Sequence, residues 1–102
     1  MQYNKLIRDK IPEIIKAKGK IASTHIANDS EYSEKLRDKL GEEIREFLES
    51  NEIEELADIL EVIYALAEHL NITPEELEKI RAKKAEERGV FKEKIILEEI
   101  IE

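Results

Sequence analysis

Cysteine is absent from this sequence of 102 residues, and histidine occurs only twice. Without cysteine there is no disulfide, no thiolate nucleophile and no zinc–thiolate site, and two histidines are too few for a histidine-rich metal cage. Any metal ion must therefore be bound by oxygen ligands. Carboxylate-rich sites of that kind suit hard cations such as Mg²⁺ or Mn²⁺.

Long apolar runs are also missing, because charged residues interrupt every hydrophobic stretch. Nothing resembles a secretory signal or a membrane span, so we expect a soluble, cytoplasmic protein with no membrane contact. The length is that of one domain, and we expect residues 1–102 to form a single domain. The acidic balance and the dispersed basic residues argue against nucleic-acid binding.

Apolar residues recur at helical spacing over most of the chain, which predicts a mostly α fold. The predicted helices are a short one over residues 11–18 and three long ones over residues 31–50, 52–70 and 75–88. Asn51 is a natural break between the first two long helices, and Thr73 is placed to cap the third, with Glu76 completing a capping box. Short connections make consecutive helices antiparallel, so we predict an antiparallel helical bundle.

Two segments outside these helices are rich in β-branched residues. Residues 20–27 show a weak alternation of period two, and residues 90–101 follow a glycine and contain four isoleucines. We predict a strand for residues 20–27. Residues 90–101 can be helix or strand, with a strand favoured, and the two strands can pair as a small two-stranded β ribbon beside the bundle.

Negative charge is concentrated between Glu42 and Glu61. This stretch holds nine acidic residues and one basic residue, so its net charge of −8 equals that of the whole chain. A solvated helix face rich in glutamate is the ordinary explanation for such a run.

Four of these acids occupy positions that are less typical of a solvated face, so a metal site stands beside it as an alternative. At about 100° per residue, Glu55 and Asp58 lie in a narrow polar strip of a helix that is otherwise largely apolar. Glu43 and Glu46 lie at the edge of the apolar stripe of the preceding helix, so an antiparallel pair brings the two sets face to face. Unpaired, half-buried carboxylates repel each other, whereas a divalent cation makes their proximity favourable.

The residues around these acids resemble a known signature. The segments KLGEEIRE at residues 39–46 and EELAD at residues 54–58 resemble the paired E-x-x-E and E-x-x-D pattern of the all-α NTP pyrophosphohydrolase superfamily, which includes the MazG-like and phosphoribosyl-ATP pyrophosphohydrolase-like enzymes. The matching acids are Glu43, Glu46, Glu55 and Asp58.

Both ends of the chain extend the resemblance to a branch of small house-cleaning nucleotide pyrophosphohydrolases. The opening YNKLIRDKIP at residues 3–12 and the closing KAEERGVF at residues 84–91 are similar to segments of that branch. One departure is Val90, where relatives usually have glycine.

The resemblance implies a fold, a reaction and a set of ligands. Family members bind Mg²⁺, for which Mn²⁺ can substitute, and hydrolyse a nucleoside triphosphate, standard or chemically damaged, to the monophosphate and pyrophosphate. It implies that Glu43, Glu46, Glu55 and Asp58 hold the metal and that Glu43 or Glu46 also acts on the attacking water. Relatives assemble as dimers or tetramers, so we expect a homo-oligomer.

A polyphosphate can enter so acidic a site only if cationic side chains complete it. The candidate substrate-binding residues are Lys5, Arg8, Lys10, Lys84 and Arg88, with Asn4 as a hydrogen-bonding partner for base or ribose. Each basic residue can equally be an ordinary surface residue or the partner of an acid in a salt bridge.

A function of another class stays open beside the enzyme. The chain can be a non-catalytic helical interaction module on the same scaffold, which would show no nucleotide turnover and no thermal shift with Mg²⁺. Retention of all four acids argues against it, because a module without metal gains by replacing carboxylates that repel each other.

Overall fold

Four helices make up the regular structure of the computed structural model, which describes residues 3–102. They are α1 (Ile11–Ala17), α2 (Asp29–Ser50), α3 (Ile53–His69) and α4 (Pro74–Arg88). Their bounds lie close to the predicted ones, and the mostly α fold is confirmed. No helix in this part of the chain is long and apolar enough to cross a membrane.

Side-chain caps fix where the long helices begin. The Asn28 side chain accepts a hydrogen bond from the backbone N–H of Glu31 at 2.9 Å, at the start of α2. At the start of α4, Thr73 Oγ1 accepts from the backbone N–H of Glu76 at 3.1 Å. The carboxylate of Glu76 accepts from the Thr73 hydroxyl, also at 3.1 Å, rather than from the Thr73 backbone N–H as in a capping box.

The turn between α2 and α3 is the part of the fold that positions the site. Asn51 ends α2 in the left-handed region, with φ of 58°, and its backbone N–H donates to the Phe47 carbonyl. Asparagine tolerates this conformation better than most residues. Only Asn51 and Glu52 separate the two helices, so α2 and α3 return alongside each other as an antiparallel pair.

The apolar contact between α2 and α3 is the core of the described chain. Leu36 of α2 is 1% exposed, and Val62 and Ala67 of α3 are also buried. At the end of the pair away from the turn, the ring of Tyr32 meets that of His69 edge-on, with 5.3 Å between their centroids. Within residues 3–102, α4 packs against α3, whereas α1 packs against no other helix.

The predicted β ribbon is wrong: the described residues contain no strand. Ile21 and Ile26, in the first predicted strand, are 97% and 96% exposed, and Ile95 and Ile101 in the second are also exposed. β-Branched residues favour an extended backbone, but a strand also needs a partner, and an isolated two-stranded ribbon is marginally stable in water.

Much of the apolar surface of α3 is uncovered. Ile53 is 79% exposed, and Leu56 and Leu60 are nearly half exposed. The radius of gyration is 18.2 Å, against about 13 Å for a compact domain of this length. A single chain therefore leaves much of this largely apolar helix exposed to water.

Thr73→Ala tests the cap of α4. We expect a loss of about 1 kcal/mol in the free energy of unfolding, because the backbone N–H of Glu76 loses its acceptor. Thr73→Ser, which keeps the hydroxyl, is the matched control. Urea unfolding followed by circular dichroism measures both, and equal stability of the alanine and serine variants would contradict the cap.

Candidate active site

Acidic side chains from α2 and α3 meet at the seam between the two helices. Glu43, Glu55 and Asp58 each place one carboxylate oxygen within 4.8 Å of the others. Glu42, Glu43 and Glu46 form a second such group, so Glu43 belongs to both. We call these five residues the acidic cluster. It contains all four acids of the paired signature, and the two-residue turn brings them together.

Two of these carboxylates each have a buried oxygen without a hydrogen-bond partner within residues 3–102. Glu43 is only 7% exposed. Its Oε2 and the Oε2 of Glu55 are both buried without a hydrogen-bond partner in the described part of the chain. Leaving a buried polar group unpaired costs about 1–3 kcal/mol. A divalent cation between the helices would satisfy both oxygens, so the residues present fit a metal ion bound by oxygen.

Two of the carboxylates, those of Glu43 and Glu55, hold their protons more tightly than free ones do, because their pKa values are raised. Burial raises the pKa of Glu43, and the neighbouring Glu46 raises it further, against the opposing effect of Lys39. The pKa of Glu55 is raised by burial first and then by the negative charges of Asp58 and Glu43. Glu43 and Glu55 are therefore less readily ionised than free glutamates.

Lys39 and Glu42 belong to this site although sequence reasoning passed them over. Lys39 Nζ lies 3.3 Å from a carboxylate oxygen of Glu43 and 3.6 Å from one of Glu42. Glu42 is half-buried and also accepts a hydrogen bond from Lys5 at 3.1 Å. Burial raises the pKa of Glu42, but the hydrogen bond from Lys5 and the charge of Lys39 outweigh it, so the pKa is lowered. The i, i+3 spacing of Lys39 and Glu42 was the available signal.

Residues 3–10, which we call the N-terminal arm, bring two cations to the cluster. Lys5 donates to Glu42 of α2, and Arg8 Nη2 donates to Asp58 Oδ1 of α3 at 2.7 Å. Asn4 lines a cavity of about 40 Å³ beside Lys5 and Glu42. The arm thus lies against both helices of the pair.

The remaining predicted cations are not brought to the cluster. Lys10 is exposed just before α1, and Lys84 and Arg88 are exposed on α4. Within residues 3–102 no ion pair joins any of the three to an acid, and α4 packs against α3 without contacting α2. Glu61 is exposed and outside both acidic groups.

Glu43→Gln should stabilise the metal-free protein at neutral pH. Because the pKa of Glu43 is raised in the folded state, the free energy of unfolding falls as pH rises from the ordinary value of 4.5 through the raised one. Glutamine removes this loss, so we expect a gain of about 1 kcal/mol at pH 7 and a smaller one below pH 4.5.

Thermal unfolding in a chelator at both pH values measures this effect. Glu61→Gln, which removes a charge from the exposed side of α3, is the control and should change little. If the Glu43→Gln variant is less stable than the unaltered protein at pH 7, the charged form of Glu43 does not destabilise the fold and the prediction is wrong.

Comparison with known proteins identifies a family for this chain. The family model of phosphoribosyl-ATP pyrophosphohydrolase matches residues 2–85, a span that contains both acid pairs and helices α1 to α3. No curated protein and no solved structure matches the chain. A match over most of the chain, on an all-α fold, identifies the family: this chain belongs to the phosphoribosyl-ATP pyrophosphohydrolases.

Proposed function

We propose that the protein is a Mg²⁺-dependent pyrophosphohydrolase that cleaves a nucleoside triphosphate between its α- and β-phosphates, releasing the monophosphate and pyrophosphate. The observation that carries this proposal is the pair of buried, unpartnered oxygens on Glu43 and Glu55. Family membership supports the reaction class. We place the activity in a single cytoplasmic domain spanning residues 1–102.

Within this proposal the acids have two roles, metal binding and acceptance of a proton from the attacking water. Glu43, Glu55 and Asp58 would hold Mg²⁺, or Mn²⁺ in its place, because their oxygens already lie close together. When bound, such an ion neutralises phosphate oxygens and lowers the pKa of a coordinated water. Glu43 contributes to both acidic groups and is buried, which suits a ligand. Glu46 belongs to one group only and is the better candidate to accept a proton from the attacking water.

The N-terminal arm would provide the charges that admit the substrate. Lys5 and Arg8 already lie against the acidic cluster, so each can reach a phosphate bound there. Arginine suits this role because its planar guanidinium binds two phosphate oxygens at once. Asn4, Lys10, Lys84 and Arg88 stay predictions as substrate-binding residues.

The substrate is a nucleotide with a triphosphate chain. The name of the family points to phosphoribosyl-ATP, an ATP derivative. Other nucleoside triphosphates, standard or damaged, present the same α–β phosphoanhydride to the cluster. A non-catalytic interaction module remains the alternative, and the unpartnered buried carboxylates argue against it because they destabilise a protein that binds no cation.

A homo-oligomer, a dimer or a tetramer, completes the proposal. The apolar residues Ile53, Leu56 and Leu60 on α3 are uncovered in the single chain. A second copy that packs against this face would remove them from water. Burial of apolar surface stabilises an assembly by about 25 cal/mol for each Å².

Asp58→Asn tests the reaction and the site together. We expect pyrophosphate release to fall on the order of 100-fold, because one proposed ligand loses its charge. Release is measured with Mg²⁺ over a panel of ribo- and deoxynucleoside triphosphates, damaged nucleotides and phosphoribosyl-ATP. Glu61→Gln serves as the control for charge removal on α3. Undiminished release by Asp58→Asn would contradict the site, and no release from any nucleotide by the unaltered protein would favour the interaction module.

Ile53→Glu tests the assembly. Light scattering after size exclusion should give the unaltered protein a mass of at least twice 11.9 kDa, and the variant a lower mass. Glutamate at the first turn of α3 is compatible with the helix dipole, so the helix itself should persist. An unaltered chain that elutes as a monomer would contradict the oligomer.

A further inference from the structure

The ion pair of Arg8 with Asp58 occupies one side of the proposed metal site. Arg8 Nη2 lies 2.7 Å from Oδ1 of Asp58. Asp58 shares its acidic group with Glu43 and Glu55. A guanidinium therefore neutralises one of the three carboxylates that a divalent cation would use.

Two features make this ion pair easy to open. The side chains of Arg8 and Asp58 are 55% and 41% exposed, and ion pairs this exposed hold their partners weakly. The N-terminal arm also has contacts other than this pair, because Leu6 and Ile7 are half-buried and Lys5 pairs with Glu42. The Arg8 side chain can leave Asp58 while the arm stays in place.

Lys39 is held in a different way. It lies on α2, pairs with Glu42 and Glu43 of the same helix, and its side chain is only 18% exposed. Arg8 reaches its partner from a segment fifty positions away, with no helix to hold it. Within the described chain, Lys39 and Arg8 are the two cations that pair with a proposed metal ligand, and of these Arg8 is the one free to exchange partners.

We propose that Arg8 is a displaceable counter-ion: it neutralises Asp58 in the metal-free protein, yields that carboxylate to the entering divalent cation, and then binds a phosphate of the substrate. This inference rests on the proposed function, since it needs a metal at Asp58. Arginine keeps its charge at any physiological pH, so it and the cation cannot both gain fully from one carboxylate. Once displaced, the guanidinium lies beside the site where phosphate oxygens bind.

The exchange predicts effects of opposite sign in one variant. Arg8→Gln should bind Mg²⁺ about two- to fivefold more tightly than the unaltered protein, because no ion pair has to be broken. With Mg²⁺ saturating, the same variant should bind pyrophosphate about tenfold more weakly, because a charge-assisted hydrogen bond is lost. Arg8 is exposed, so the variant should fold.

Titration calorimetry of the full chain with magnesium chloride, and then with pyrophosphate, measures both effects. Lys16→Gln is the control: it removes the same charge from an exposed position on α1 that forms no ion pair within residues 3–102. In Lys16→Gln both affinities should stay close to those of the unaltered protein.

The possible results separate the two proposals. Tighter Mg²⁺ and weaker pyrophosphate binding in Arg8→Gln alone support the exchange. Unchanged or weaker Mg²⁺ binding, unchanged pyrophosphate binding, or the same changes in Lys16→Gln overturn it and leave the proposed function standing. If the unaltered protein shows no saturable binding of Mg²⁺ or Mn²⁺, the proposed function fails and this inference fails with it.

Discussion

Repulsion between carboxylates at the seam of α2 and α3 is the constraint on which the rest of the site depends. The two-residue turn and the apolar contacts of Leu36 and Val62 hold the helices side by side, so the acids cannot move apart without opening the core. Lys39 and Arg8 offset part of the negative charge, yet the pKa values of Glu43 and Glu55 stay raised. Groups with perturbed pKa values, held in place against their own repulsion, are typical of functional sites.

Local signals allowed most of the fold to be predicted from the sequence. Asn51 and Thr73 mark helix ends through their own backbone and side-chain hydrogen bonds, which depend on residues within four positions. Helical periodicity then placed the acids, because a short turn leaves an antiparallel pair as the natural arrangement. The prediction of two strands was wrong because strand pairing depends on non-local contacts. Residues 20–27 and 90–101 have the composition of strands but no partner within the described chain.

Non-local contacts also decide which of the basic residues reach the acidic cluster. The sequence named five candidate cations at its two ends, and nothing in their spacing distinguished them. The structure brings Lys5 and Arg8 to the acidic cluster through contacts that span 37 and 50 positions. Lys39 was not predicted as part of the site although its partners lie on the same helix, because a lysine beside three glutamates is ordinary for a solvated helix face.

The proposed metal binding and the proposed assembly would be linked through α3, which carries Glu55 and Asp58 as well as the uncovered apolar face. Leu56 lies next to Glu55 in the chain and is nearly half exposed. If a second copy covers Leu56 and Leu60, less water remains near Glu55 and Asp58, and the effective dielectric around them falls. The same carboxylates then repel each other more strongly when empty and attract a divalent cation more strongly. Assembly should therefore raise the affinity for metal, and by linkage the metal should stabilise the assembly.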